Sequence, residues 1–541
     1  MFKNFGNSIK TEFKGYNAKR FGMDVLAGVT VAAVALPLAL AFGVSSGASA
    51  AAGLITAIIA GVIIGGLSGG SYQISGPTGA MTAILVSLVA QYQLKGVFIA
   101  CFLSGIILLV AGIFKLGGLV SFIPLPVITG FTSGIAIIIA FGQVDNATGL
   151  KGSGLNNIEK LLSYFTTPQT LNIVALIITL AVVLFMTFYP KKANAVCPSS
   201  LVAIIIATAA NMIFKFDVAS VGEIPKTIFL SDRLELSMLD FASIKPLILP
   251  AFSIAALGLI ESLLCGASAG RMKNEKLDAD RELVAQGIGN MLIPFFGGVP
   301  ATAAIARTSV AIKAGGQTRI TSIVHSLVLL LSMFVLGGVM SEIPLAALAG
   351  VLIVTAWRMN DWEVIKDIFK RKMRSAISQY LITMAATVVF DLTVAIIIGI
   401  VLSLILFVAK ISNIQITTSD VKPEKLADSS KYNEKIKNTV VVYVTGPLYF
   451  GTAGKLQEKI DELNDKEIYI FSLRGVTLAD ISGVQALDDL VSKLHNDNKT
   501  VYFTCVQPDV MEIFSRSGFS SKVGADNFYW STDRILTELG D

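Results

Sequence analysis

The stretch Gly297-Gly298-Val299-Pro300-Ala301-Thr302-Ala303-Ala304-Ile305-Ala306-Arg307, running on to Lys313 and Gly315-Gly316-Gln317-Thr318, constrains this chain more than any other. It reads as a transmembrane helix that is too short. The twelve residues from Thr302 to Lys313 make about 18 Å of helix, against ~30 Å of hydrocarbon. A segment broken by Gly and Pro survives at membrane depth only where neighbouring protein or a watery cavity satisfies the freed backbone groups. The helix start exposes unpaired N–H groups and the positive end of the helix dipole near the bilayer midplane. Arg307 is placed one and a half turns later, a fixed positive charge in an apolar helix, where a charge is expensive and marks a functional position. These features predict an anion site.

A second stretch repeats the layout. Tyr72-Gln73-Ile74-Ser75-Gly76-Pro77-Thr78-Gly79-Ala80-Met81-Thr82 again runs from extended residues through a proline break into a helix start rich in small residues. Pro77 and Pro300 are 223 positions apart. The same offset carries Gly96 onto Arg319 and Asp24 onto Leu247, each at the start of an apolar helix. Matching interrupted segments in two halves point to a repeat-built secondary transporter with its site at the repeat interface.

The 541 residues are 53% hydrophobic and 15% charged, with a mean hydropathy of +0.70, which places the chain among polytopic membrane proteins. Apolar segments fall at about 24–43, 52–68, 77–91, 96–114, 119–142, 171–189, 198–214, 247–265, 283–296, 302–313, 319–340, 343–357, 376–390 and 392–410. The expected fold is therefore a polytopic α-helical membrane protein of fourteen crossings or half-crossings, seven per repeat. With the N-terminus inside, 21 Lys/Arg fall on the inner side and seven on the outer, leaving Arg307 alone in the membrane. That asymmetry favours cytoplasmic N- and C-termini in a multi-pass inner-membrane protein. A cleaved signal peptide is not expected, because the run from Val25 is long and lacks a cleavage motif.

Four domains are expected: a cytoplasmic N-terminal segment 1–23, a transmembrane domain 24–412, a polar linker 413–438, and a cytoplasmic domain 439–541. In the last, strands at Thr439–Val444, Glu467–Leu473 and Thr500–Cys505 alternate with helices at Ala453–Asn464, Ser482–Asn496 and Pro508–Gly518, the pattern of a small α/β domain. Residues 421–541 carry a net charge of −4 against +9 for residues 1–420. The positive balance follows from loop topology and implies no nucleic-acid partner. The four cysteines have no disulfide or zinc spacing. His325 and His495 lack partners and no phosphate-binding loop is present, so neither an enzyme, a metal site nor a bound cofactor is expected.

Arg307 has a planar fork suited to oxyanions and carboxylates; the alternative is an arginine snorkelling to an interface. Gln73, Ser75, Thr78 and Thr302 are candidate donors, and Gly79, Ala80, Ala301 and Ala303 let an anion approach the backbone. Glu261 lies in Leu259-Ile260-Glu261-Ser262-Leu263-Leu264-Cys265, where Gly258, Glu261 and Cys265 share a small, polar face beside Ser262. Burial favours the neutral carboxyl over the carboxylate, so Glu261, with Ser262 and Cys265, is a candidate coupling-ion site. A role merely neutralising Arg307 is the equal alternative. In Asp480-Ile481-Ser482-Gly483, Ser482 is read as a helix N-cap in preference to a phosphorylation site.

Residues 27–42, Ser75-Gly76-Pro77-Thr78-Gly79-Ala80-Met81-Thr82, Leu259-Ile260-Glu261-Ser262-Leu263-Leu264 and Ala304-Ile305-Ala306-Arg307-Thr308-Ser309, followed by Gly315-Gly316, resemble the SulP (sulfate permease) anion transporters. The tail resembles a STAS domain, although Asp-Ile-Ser-Gly only approximates that family's Asp-Ser-Ser-Gly. The resemblance implies a 7+7 inverted repeat divided into core and gate domains, elevator-like movement in membrane lipid, and a homodimer. Family members carry sulfate, bicarbonate, chloride or dicarboxylates, as proton or sodium symporters or as exchangers. Many relatives have Gln where this chain has Leu38. Sodium/bicarbonate relatives have Asp and Thr in place of Glu261 and Cys265, which leans this chain toward a coupling proton over sodium. The Glu-Ser-Leu-Leu-Cys form resembles bacterial dicarboxylate/sulfate members. A nucleobase transporter of the same fold would want carboxylates where Arg307 stands, and a membrane-anchored signalling protein would not need two broken helices.

Overall fold

A computed structural model describes residues 2–118, 123–152, 163–164, 166, 170–390, 392–411, 414–426, 430, 432–449, 453–461 and 466–541. It divides into two compact units, residues 1–403 and 404–541.

The first unit is helical. After α1 (Phe2–Glu12) come α2 (Ala18–Ser45), α3 (Ala50–Leu67), α4 (Gly79–Ile113), α5 (Leu125–Gly142), α6 (Ile173–Phe188) and α7 (Ser199–Phe214). The second half supplies α8 (Ile248–Lys273), α9 (Ala279–Leu292), α10 (Ile305–Lys313), α11 (Ile320–Met340), α12 (Leu345–Met359), α13 (Arg374–Val389) and α14 (Leu392–Ile411). All fourteen expected segments contain helix. Among the described residues, however, six helices are long and apolar enough to cross a membrane, with three shorter apolar ones beside them. Prolines shorten several: Pro124, Pro198 and Pro344 are the N-caps of α5, α7 and α12, where a missing N–H costs nothing. The segments expected at 77–91 and 96–114 join as α4 across a kink at Gln93, whose φ is 56°. Residues 119–122 of the expected segment 119–142 lie outside the described residues.

These helices pack as two groups. One contains α2, α3, α4, α8, α9, α10 and α11; in the other, α5 packs on α13, and α12 on α5 and α6. Glycines let helices of the first group cross closely: on α4 against α9, a Cβ at Gly105 would lie 2.6 Å from the Met291 nitrogen. Only glycine allows that crossing.

At one end of the first group, charge holds the helices together. Asp24, in the second turn of α2 and fully buried, accepts from the Gln317 and Thr318 amides at 2.6 and 3.0 Å, and from the hydroxyls of Thr318, Thr321 and Tyr16 at 2.7, 2.9 and 2.8 Å. Arg319 donates through Nε and Nη2 to Glu12 at 2.9 and 2.6 Å and through Nη1 to the Gly66 carbonyl at 2.7 Å.

The second unit holds a five-stranded sheet in the order β3 (Gln415–Asp420), β4 (Thr439–Thr445), β5 (Ile468–Gly475), β6 (Thr500–Thr504) and β7 (Phe528–Tyr529). β3 is antiparallel to β4 and the remaining neighbours are parallel. Helices Ala453–Asp461, Ile481–Asn496 and Pro508–Arg516 alternate with the strands; residues 462–464 of the first expected helix lie outside the described residues. The stretch expected as linker, 413–438, contains the edge strand β3. Its alternation is polar and its partner lies some twenty residues on, so no local signal announces it. Ser482 is not the cap: Asp480 accepts from the Gly483 amide at 2.7 Å, and Ser482 stands exposed in the first turn.

Candidate functional site

The two broken segments meet. β1 (Ser75–Gly76) pairs antiparallel with β2 (Thr302–Ala303), Ser75 opposite Ala303 and Gly76 opposite Thr302. The Ala304 amide adds a bond to the Ile74 carbonyl at 3.0 Å. This pairing corrects one expectation. Because Thr302 and Ala303 are spent on the strand, α10 begins at Ile305 and has nine residues. Arg307 therefore sits in its first turn, not one and a half turns in.

Side chains of α3, α8 and α9 satisfy the backbone freed by the breaks, the condition for irregular chain at membrane depth. The Thr56 hydroxyl donates to the Val299 carbonyl at 2.9 Å and accepts from the Val299 amide at 2.7 Å. Asn290 closes a ring with Ala301, donating at 3.0 Å and accepting at 2.8 Å. Gln286 donates to the Ser75 hydroxyl at 3.0 Å and to Glu282 at 2.9 Å; Glu282 accepts from the Ser68 hydroxyl at 2.6 Å. Sequence reasoning missed this polar stripe, although Glu282, Gln286 and Asn290 are spaced by four and share one helix face.

Gln73, Ser262 and Cys265 belong to the same scaffold. Gln73 donates to the Ser262 carbonyl at 2.8 Å, and the Ser262 hydroxyl accepts from the Ala303 amide at 3.2 Å. The Cys265 thiol donates to the Thr308 hydroxyl at 3.4 Å, which also accepts from the Ile74 amide at 3.0 Å. Ser75, Ala301 and Ala303 are likewise wholly buried in the paired segments.

Thr78, Gly79, Ala80, Glu261 and Arg307, by contrast, line a cavity of about 250 Å³. Both helix starts open onto it: α4, N-capped by Thr78, and α10, whose N-cap Ala304 offers no side-chain bond. The first N–H groups of each helix have no intrahelical acceptor, so two dipole ends and a set of free amides converge. Glu261 accepts at one carboxylate oxygen from the hydroxyls of Thr302 at 2.7 Å and Thr78 at 2.9 Å, which are themselves 3.2 Å apart. One acid thus ties the two broken segments together.

Arg307 is 1% exposed. Its Nη2 donates across to the Pro77 carbonyl at 2.8 Å, while Nη1 finds no acceptor among the described residues. A Cβ at Gly76 would lie 2.5 Å from that Nη1, so a larger residue there would push the guanidinium aside. Arg307 and Glu261 form no direct ion pair among the described residues, so any neutralisation of Arg307 by Glu261 acts across a gap.

Three lining features were not among the expected site residues. Leu38 and Phe42 of α2, with Phe131 and Ile135 of α5, make much of the wall apolar. Thr132 and Thr355 add hydroxyls. Arg358 of α12, expected among the inner-side charges, lines the cavity from the second helix group.

The comparisons with known proteins agree with this architecture. The sequence profile described as the sulfate permease family matches residues 21–386, and that of the STAS domain residues 431–534. The Bacillus subtilis protein YvdB, which carries a sulfate-transporter name, is 34% identical over 97% of this chain and 98% of its own. The structure of the murine Slc26a9 anion transporter in its inward-facing state superposes with a TM-score of 0.83, at 18% identity, over 96% of this chain and 91% of that one. The transmembrane domain of the cyanobacterial bicarbonate transporter BicA gives a TM-score of 0.64, at 28% identity, over 72% of this chain and 98% of that domain.

Proposed function

The chain belongs to the sulfate permease family, and from that membership we propose that it is a proton-coupled secondary transporter of small oxyanions, sulfate or dicarboxylates. One observation carries the reading: two helix N-termini, a buried arginine and a carboxylate converge on one cavity at the junction of two broken segments. The anion accepts from the free amides at Gly79, Ala80, Ile305 and Ala306, with Arg307 directly behind them as the compensating charge. Thr78 supplies a hydroxyl, and the buried Thr302, Gln73, Ser75, Ala301, Ala303, Ser262 and Cys265 hold the breaks in place.

Glu261 carries the coupling proton. The groups around it are the Thr78 and Thr302 hydroxyls, Arg307 on α10, Cys265 one turn on, and Arg358 across the cavity. As a carboxylate it holds both hydroxyls as donors and opposes an incoming anion. Once protonated it no longer repels, and a hydroxyl is free to turn to the substrate. Proton and anion then each strengthen the other's binding, by about 5–150-fold if the coupling is of ordinary size.

The wider frame is fourteen segments in a 7+7 inverted repeat. The helix group bearing α4, α8 and α10 is the core, which moves in elevator fashion against the gate group bearing α5 and α12. The protein works as a homodimer with both termini cytoplasmic; 24–412 forms the transport domain, and the STAS-like domain of 439–541 takes its edge strand β3 from the stretch 413–438.

A second reading is sodium-coupled bicarbonate transport, whose bicarbonate part is favoured by the likeness to the bicarbonate transporter BicA. Radiolabelled uptake into proteoliposomes, comparing sulfate, fumarate and bicarbonate under imposed pH or sodium gradients, decides between them. Sulfate or fumarate accumulation driven by an inward proton gradient supports the first reading; bicarbonate uptake that follows sodium and ignores pH replaces it.

A further inference from the structure

Arg358 occupies the last turn of α12, where a cation is favoured by the helix dipole. That placement alone would make it a topological anchor, like the Lys366, Lys370 and Arg371 that follow. Its surroundings say more. The side chain lines the same cavity as Glu261 and Arg307 but comes from the opposite helix group, since α12 packs on α5 and α6. Nη2 donates to the Met186 carbonyl at 2.7 Å, which holds the guanidinium at the cavity wall. Among the described residues no carboxylate pairs with it, and of five N–H donors this is the one bond formed. The chain leaves a second arginine at the cavity with donors to spare.

The charge balance gives that arginine a role. With Glu261 protonated, the cavity carries two cations, Arg307 and Arg358. A doubly charged anion reaches both; a singly charged one is matched by the buried Arg307 alone and leaves Arg358, exposed at the rim of the cavity, without an anionic partner. We propose that Arg358 is a specificity-determining residue that contacts the anion from the side opposite Arg307 and selects dianions, sulfate or small dicarboxylates, over monoanions. This rests on the anion-transport reading above. The planar fork of Arg358 also predicts that the pair is bidentate and that lysine substitutes poorly.

The full-length protein in proteoliposomes, loaded by radiolabelled sulfate uptake, tests this in wild type, Arg358→Gln and Arg358→Lys. Fumarate and thiosulfate serve as dianion competitors, nitrate and bicarbonate as monoanions. In Arg358→Gln, the half-saturating concentrations for the dianions rise about tenfold or more, the scale of a lost charge-assisted bond, while monoanion inhibition changes less than about twofold. Arg358→Lys falls between. A fumarate effect without a sulfate effect narrows the class to dicarboxylates, and the reverse to inorganic oxyanions; either supports the selection of dianions. An equal shift for mono- and dianions marks Arg358 as a topological anchor and overturns the proposal, as does no shift in a variant that transports normally. If Arg358→Gln does not fold, a folded Arg358→Lys carries the same two outcomes. Absence of saturable anion uptake in the wild type is a different failure, of the transport reading itself.

Discussion

Two clusters of charge in the same helical unit are built on opposite plans. At the end where α2 and α11 begin, Asp24 has five donors and Arg319 is clasped by Glu12 and a carbonyl. At the broken segments, among the described residues, Glu261 has two hydroxyls, Arg307 a single carbonyl, and the two do not pair. A buried charge with every bond satisfied has nothing left to offer a ligand, and its removal strands its partners. One left short of partners beside a cavity is tolerable only if something else completes it. The first cluster fastens helices; the second keeps bonding capacity open beside a cavity.

Exchanging the roles of the two clusters in mutants would break that contrast. The largest effect is expected at Arg307. Arg307→Ala abolishes saturable uptake, a loss of about a hundredfold or more for a charge-assisted contact at the site, while the protein still inserts and elutes as a folded species. Arg307→Lys recovers part of it. Normal uptake by Arg307→Ala would move the site elsewhere.

Asp24→Ala acts on stability instead. Five donors lose their acceptor, at a cost of about 3 kcal/mol or more, read as a lower midpoint of thermal unfolding in detergent. A variant of unchanged stability that has lost uptake would place Asp24 in the transport machinery and dissolve the contrast.

Glu261→Gln mimics the protonated acid. Anion binding persists in this variant, but the dependence on pH between 5.5 and 8, about 5–150-fold in the wild type, flattens, and a proton gradient no longer drives accumulation. The same steep dependence in both proteins would acquit Glu261 of coupling.

Tyr16→Phe removes one of the five donors to Asp24 and is the mildest, about 1 kcal/mol. Burial first, and then the Asp24 carboxylate, push the Tyr16 phenol up from 10.0 to about 12. The folded value lies above the unfolded one, so the tyrosine's contribution is fully present below pH 10 and is lost as pH rises through 12. Thermal midpoints of wild type and variant therefore differ by a constant amount between pH 6 and 9. A gap that opens within that range would mean Tyr16 titrates there.

Much of this was legible in the residues before any coordinates. Hydropathy located the helices because a membrane segment must be apolar along its length, and prolines fixed where several begin. Pro77, Pro300 and their flanks announced the two breaks, and a lone Arg307 in apolar surroundings announced the charge, since neither survives at membrane depth without a purpose. The tail's central strands followed from alternating runs of β-branched and aromatic residues. Beyond these, local sequence is silent. That Thr302 joins a strand with Gly76 rather than starting α10 depends on a partner more than 200 positions away. The β3 edge has polar alternation that becomes a strand only when β4 supplies its hydrogen bonds. Which hydroxyls Glu261 accepts, that Arg307 reaches Pro77 rather than Glu261, and that Arg358 stands at a cavity rather than only at a helix end were decided by packing. Composition and periodicity report what each segment can bury; which charges are completed and which are left open depends on the neighbours the fold brings to them.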